Sequence, residues 1–169
     1  MDVYIVRHAI AGHADPTRWP EDADRPLTSE GAESFRSAAA GLRRIVPNVD
    51  VVLSSGFVRA WQTAELLHEV AGWPAPEASR ELEVGRTPSE TVAVLQRRSE
   101  QSIALVGHEP HLSRLTSLLC TGREDSLRLT LKKGAVVHLR SDGTVGPGAA
   151  SLRWTATPKI LRALAPDSG

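Results

Sequence analysis

"VYIVRHAIAGH", residues Val3–His13, begins as an apolar run and ends in an arginine–histidine pair followed by small residues. Val3, Tyr4, Ile5 and Val6 in succession suit a strand covered on both faces. A strand with no solvated face can deliver polar side chains only where it stops, so Arg7 and His8 mark its carboxyl end. Two further stretches repeat the design. "VDVVLSS" (49–55) runs on into "GFVRAWQTA" (56–64), and "SIALVG" (102–107) runs on into "HEP" (108–110). "AVVHLR" (135–140) and "SLRWTA" (151–156) alternate more, with the turn-rich "SDGTVGPGAA" between them, and suit a hairpin or neighbouring strands at a sheet edge.

Helical patterns fill the intervals between these five strands. Thr28 or Ser29 can cap a long helix carrying Phe35, Ala39, Leu42 and Val46 on one side. Phe57, Ala60, Trp61, Ala64 and Leu67 form a second apolar stripe. "TPSE" (87–90) combines a cap, a proline at the first helical position and a glutamate placed for a capping box. Pro110 opens a fourth helix, with Leu112, Leu115 and Leu119 inward, and a short last helix is expected around Ile160 to Leu164. The β-α-β alternation predicts an α/β fold: a three-layer α/β/α sandwich with a mainly parallel central sheet. The 169 residues suit a single domain, 1–169, since no linker or repeat divides them. The polar stretch from Gly12 to Pro26 is long for a plain connection, which points to a functional loop.

Composition excludes more than it identifies. Lys+Arg and Asp+Glu balance at 20 each, so no basic nucleic-acid surface or polybasic membrane patch is expected. The lone cysteine, Cys120, permits no internal disulfide and suits a reducing compartment. The N-terminus does not read as a signal peptide, and no apolar stretch approaches the ~20 residues that span a bilayer. A cytoplasmic location is the expectation.

In an open parallel sheet, ligands bind beyond the carboxyl ends of the strands. Those ends supply Arg7, His8, Arg59 and His108 to one crevice, with a helix N-terminus beside His108. Two arginines can hold an oxyanion through forked, charge-assisted hydrogen bonds. Arginines near His8 would keep its imidazole neutral and nucleophilic. A backbone carbonyl in "RHAIAG" is expected to fix its tautomer. His13, His68, His111 and His138 read as structural. The His108/His111 spacing does not match a zinc-binding helix, so no metal is expected.

"VRHA" (6–9), "RPLTSEG" (25–31), "SGFVRAWQTA" (55–64) and "VGHEP" (106–110), in that order, resemble the histidine phosphatase superfamily. The short chain, the "RPLT" phrase and "TPKIL" (157–161) are similar to its SixA-type phosphohistidine phosphatase branch. The resemblance implies a phosphoglycerate mutase-like fold and a cofactor-free phosphatase involved in signalling. It implies His8 as the nucleophile, Arg7, Arg59 and His108 as ligands of the phosphoryl oxygens, and Ser55 as an auxiliary phosphate donor. The partner implied is a phosphorylated substrate, either a phosphohistidine-bearing protein or a small phosphoester. A silent phosphate-binding module is the rival from another class. Ala9 replaces the family's usual glycine and Gly56 its usual proline, neither with loss of a functional group.

A phosphoester leaves as an alkoxide and needs a general acid. Glu81 and Glu83 are candidates for that acid, with Glu109 and the loop residues Asp15, Glu21, Asp22 and Asp24 as further options. Phosphohistidine leaves as imidazole, whose conjugate acid has a pKa near ~6.5, and needs far less help. An ambiguous acid therefore tilts the substrate towards phosphohistidine.

Overall fold

In the computed structural model, which describes residues 1–166, six strands form one sheet in the order β3-β2-β4-β1-β5-β6. The strands are β1 (Asp2–Arg7), β2 (Val51–Ser54), β3 (Pro76–Ala78), β4 (Ser102–Gly107), β5 (Val136–Arg140) and β6 (Ser151–Ala156). The run β3-β2-β4-β1 is parallel, and β5 and β6 add as an antiparallel pair beyond β1. The five expected strands are present, the last two as neighbours at the sheet edge. The sixth, β3, escapes a periodicity search because it is three residues long. Its Pro76 is tolerated because it begins a strand at the sheet edge.

Helices cover both faces, as the two-sided apolar strands require. The side chains of Tyr4, Val6, Val52 and Ala104 face α1 (Ser29–Ile45), α2 (Val58–Leu66) and α5 (Pro158–Ala163), where Phe35, Leu42, Ala64 and Leu161 close the core. Val3, Ile5, Leu53 and Leu105, one residue out of phase, face α3 (Pro88–Gln96) and α4 (His111–Thr121) through Val92, Leu95, Leu112 and Leu115. Each fully buried side chain of this size contributes roughly 1.5–3 kcal/mol. A Cβ at Gly41 would collide with the Leu161 carbonyl, so α1 and α5 can cross this closely only with glycine there.

The helix ends follow local chemistry. Thr28 caps α1, its hydroxyl accepting from the Gly31 N–H at 2.9 Å. The Glu90 carboxylate reaches back to the Thr87 N–H at 2.7 Å, completing the start of α3. Beyond α2 the chain makes one wider turn, Leu67–Ala71, which ends at the left-handed Gly72. Trp73, fully buried, then donates its indole N–H to Val46 at the end of α1.

The topology fixes where a ligand can sit. The neighbours β1 and β4 are parallel, yet the helices that follow them pack on opposite faces. The chain therefore opens a crevice between their carboxyl ends. Because β5 runs antiparallel, the loop that precedes it also arrives at this edge.

Candidate active site

His8 and His108 stand at the mouth of that crevice, each nearly enclosed, with ring centroids 5.2 Å apart. His8 Nδ1 lies 2.7 Å from the Ala9 carbonyl. A carbonyl can only accept, so Nδ1 carries the ring proton and Nε2 keeps its lone pair. Burial above all, reinforced by Arg59, Arg7 and Lys133, pushes His8 from 6.5 down to about 4, against the pull of the Ala9 hydrogen bond. The sequence points to the arginines for this effect, but enclosure is the larger cause. His108 falls from 6.5 to about 3 by burial, followed by His8 and Arg59. Both imidazoles are neutral at pH 7.

The arginines are held from behind by the protein. Arg7 donates to the Leu131 carbonyl at 2.5 Å. Arg59, only 4% exposed, donates to the Asp22 carbonyl at 2.6 Å and to the Asp22 carboxylate at 2.8 Å. Its guanidinium also stacks over Phe57. Thr63 ties the two motifs together, its hydroxyl donating to the Arg59 carbonyl and accepting the Ala9 N–H. Three buried polar atoms on residues beside His8 have no partner among the described residues: Arg7 Nε, Arg59 Nε and His108 Nδ1. Unpaired buried groups are rare and costly, so three on residues that all neighbour His8 suit an oxyanion.

Ser55 is fully buried, and its hydroxyl lies 2.9 Å from His108 Nε2 while accepting the Phe57 N–H at 3.3 Å. A hydroxyl donating to Nε2 leaves the His108 proton on Nδ1, the atom that lacks a partner. The candidate acids are spread apart. Glu81 accepts from the Ser79 hydroxyl at 2.7 Å, a bond that holds its carboxyl below the usual value. Glu83 reaches towards the turn after Ser55, where a Cβ on Gly56 would lie 3.3 Å from its Oε1. Glu109 is turned away, accepting from the Leu131 N–H and from Ser113. Asp22 is the candidate that forms an ion pair with a crevice arginine, Arg59. Burial would raise its carboxyl, but Arg25 and Arg59 outweigh that and hold it below the usual value.

Some contributors escape the sequence reading. Leu131 and Lys133 belong to the "LKKG" loop (131–134) ahead of β5, and Gly134, at φ +78°, donates its N–H to the carbonyls of Arg7 and His8. The usable signal is the lysine pair before a strand, which matters only if that strand is antiparallel. His111 is a satisfied core residue, bonded to Thr91 and to the Arg86 carbonyl.

Comparison with known proteins gives the family and the fold. The model for branch 1 of the histidine phosphatase superfamily matches residues 3–89. An uncharacterised protein of Picosynechococcus is 33% identical over 144 residues, 83% of this chain and 86% of that one. Phosphohistidine phosphatase SixA of Escherichia coli is 27% identical over 167 residues, 96% of this chain and 97% of SixA. The structure of the protein histidine phosphatase SixA complexed with tungstate superposes with a TM-score of 0.81 at 26% identity, covering 95% of this chain and 99% of that one. The fold is phosphoglycerate mutase-like. The chain belongs to branch 1 of the histidine phosphatase superfamily.

Proposed function

We propose that this protein is a phosphatase that removes the phosphoryl group from phosphohistidine on a protein, through a covalent intermediate on His8. The observation that carries the proposal is that three residues neighbouring a neutral, nucleophilic His8 each keep a buried polar atom without a partner among the described residues: Arg7 Nε, Arg59 Nε and His108 Nδ1. Such a set suits a tetrahedral oxyanion, and tungstate, found with SixA, is one.

In the first step the lone pair of His8 Nε2 attacks phosphorus, and the P–N bond to the substrate imidazole breaks. The bond formed and the bond broken are of the same kind, so the step is close to balanced. The arginines and His108 Nδ1–H stabilise the oxygens of the transition state, which gather negative charge. The leaving ring departs as neutral imidazole because the substrate reacts with its second ring nitrogen protonated. His8, which keeps its Nδ1 proton, takes up the matching positive charge as Nε2 bonds phosphorus, so no protein acid is needed. In the second step water attacks phospho-His8, the P–N bond breaks and inorganic phosphate is released. His8 Nδ1–H stays on the Ala9 carbonyl throughout, holding the ring in one tautomer. Ser55 plays the corresponding part for His108. The low carboxyl of Glu81 is the opposite of what an acid for phosphoesters requires.

The test is phosphate release from a phosphohistidine-bearing protein and from an aryl phosphate, with wild type and His8→Ala side by side. Release from phosphohistidine that is lost in the variant is expected. Release from the aryl phosphate alone would replace this substrate with a phosphoester and give Glu83 the part of the acid.

A further inference from the structure

On the other side of Arg7 from His108 the same sheet edge opens a second cavity, of about 530 Å³. It lies where β1, the start of β5 and the end of β6 meet α1 and α5. Its wall carries five cations, Arg7, Lys132, Lys133, Lys159 and Arg162, over a floor that includes Phe35. Among the described residues, no carboxylate lines it. Among the described residues, none of Lys132, Lys133, Lys159 and Arg162 forms an ion pair, whereas Arg36, Arg98 and Arg140 each hold a carboxylate elsewhere on the surface.

Formal charge over the whole chain sums to zero, so this clustering is not a by-product of a basic composition. Like charges gathered without counter-charges oppose folding through mutual repulsion, and an anionic ligand relieves that cost. Lys133 feels the crowding directly: burial, then Arg7, Arg25 and Arg59, push its ammonium below the usual value. Arg7 belongs to both regions, with its Nη1 on Leu131 and its Nε without a protein partner. A molecule whose phosphoryl group sits at His8 would pass Arg7 to enter the cavity. The volume falls within the ~300–1,000 Å³ of ordinary ligand pockets, and an apolar floor under a cationic rim suits a carbon body bearing a charge.

We propose that this cavity is a second-anion subsite, so that the substrate carries a further carboxylate or phosphate beside its transferable phosphoryl group. The proposal rests on the phosphatase reading and narrows it. The second anion can come from an acidic residue flanking phosphohistidine on a protein, or from a second charged group on a small phosphate compound.

The test uses Lys132→Ala/Lys159→Ala, since both lysines are exposed and neither is among the main charges that act on His8 or His108. Calorimetry measures binding of inorganic tripolyphosphate, which is long enough to leave the crevice, and of orthophosphate, which is not. Tripolyphosphate should bind the double variant roughly tenfold more weakly than wild type, with orthophosphate changed less than about twofold. Unchanged tripolyphosphate affinity, or an equal loss for both anions, would overturn the subsite. Turnover then identifies the source of the second anion. Phosphohistidine peptides with flanking aspartate or alanine are compared with aryl phosphates with and without a carboxylate. A preference for the acidic form among the peptides assigns a protein substrate, and among the aryl phosphates a small molecule. No preference in either series also overturns the subsite. If wild type turns over none of these compounds the phosphatase reading fails, and tripolyphosphate binding still decides the cavity.

Discussion

The crevice at His8 and the cavity beyond Arg7 share one arginine and one sheet edge, yet they treat charge in opposite ways. In the crevice His8, Arg59 and His108 are buried, Arg7 is half-buried, and each is held by the protein: Arg59 by Asp22, Arg7 by Leu131, His8 by Ala9 and His108 by Ser55. In the cavity the lysines are exposed, and among the described residues no carboxylate pairs with them. Fixed, dehydrated donors act strongly on charge that develops at one point, as in a transition state. Solvated lysines on flexible stems attract an anion over a wider region and discriminate less by geometry. On the proposed reading, one region serves rate and the other affinity.

The sharpest way to break this contrast is Arg59→Ala. It removes a preorganised donor and should lower kcat by about 10²–10³-fold, the usual cost of losing one such group. Its melting temperature should change little relative to that loss. A variant that unfolds instead would make Arg59 a structural anchor for the Asp22 loop.

Acid stability separates the regions next. Unfolded histidine takes up its proton near 6.5, whereas His8 and His108 in the fold do so only at about 4 and about 3. The unfolded chain therefore binds more protons as pH falls. The corresponding stability is full above about pH 6.5 and is lost as pH drops from there through about 4, with His8 alone contributing on the order of 3 kcal/mol. Urea unfolding at stepped pH should show this decline, and His8→Gln should flatten it. A decline of the same depth in His8→Gln would mean that His8 is not held neutral in the fold.

Asp22→Asn has a smaller effect and an informative sign. An amide keeps the hydrogen-bond acceptor facing Arg59 and removes the negative charge, so orthophosphate should bind about three- to tenfold more tightly. Weaker binding would show that the ion pair is needed to aim Arg59. Smallest is the effect of salt. Raising it shrinks the screening length from about 10 Å at 0.1 M, so tripolyphosphate affinity should fall by a few-fold more than orthophosphate affinity. Equal salt slopes would remove the distinction between held and solvated cations.

The same contrast explains what the sequence reveals. β1, β2 and β4 are legible because strands buried on both faces must be continuously apolar, and parallel strands end at the ligand. Arg7, His8, Arg59 and His108 are therefore found together by where they stop. β3 is too short to carry a period. Lys132 and Lys133 precede their strand rather than follow it, so they reach this edge of the sheet, Lys133 near His8 and Lys132 on the cavity, only through the antiparallel setting of β5, which the residues of 135–140 do not specify. Asp22 looks like one acid among several, and only the folded loop from Gly12 to Pro26 singles it out by laying it on Arg59. Burial, the main cause of the neutral histidines, is a tertiary property that a local Arg-His pair cannot show.

The most direct test of the central claim is to trap the intermediate. Wild type and His8→Ala are mixed with a protein carrying radiolabelled phosphohistidine, quenched rapidly in base and separated by size. Wild type should acquire label that survives base and is lost in acid, as a phosphohistidine does, and His8→Ala should acquire none and release no phosphate. Label on His8→Ala, or turnover by that variant at the wild-type rate, would contradict nucleophilic catalysis by His8.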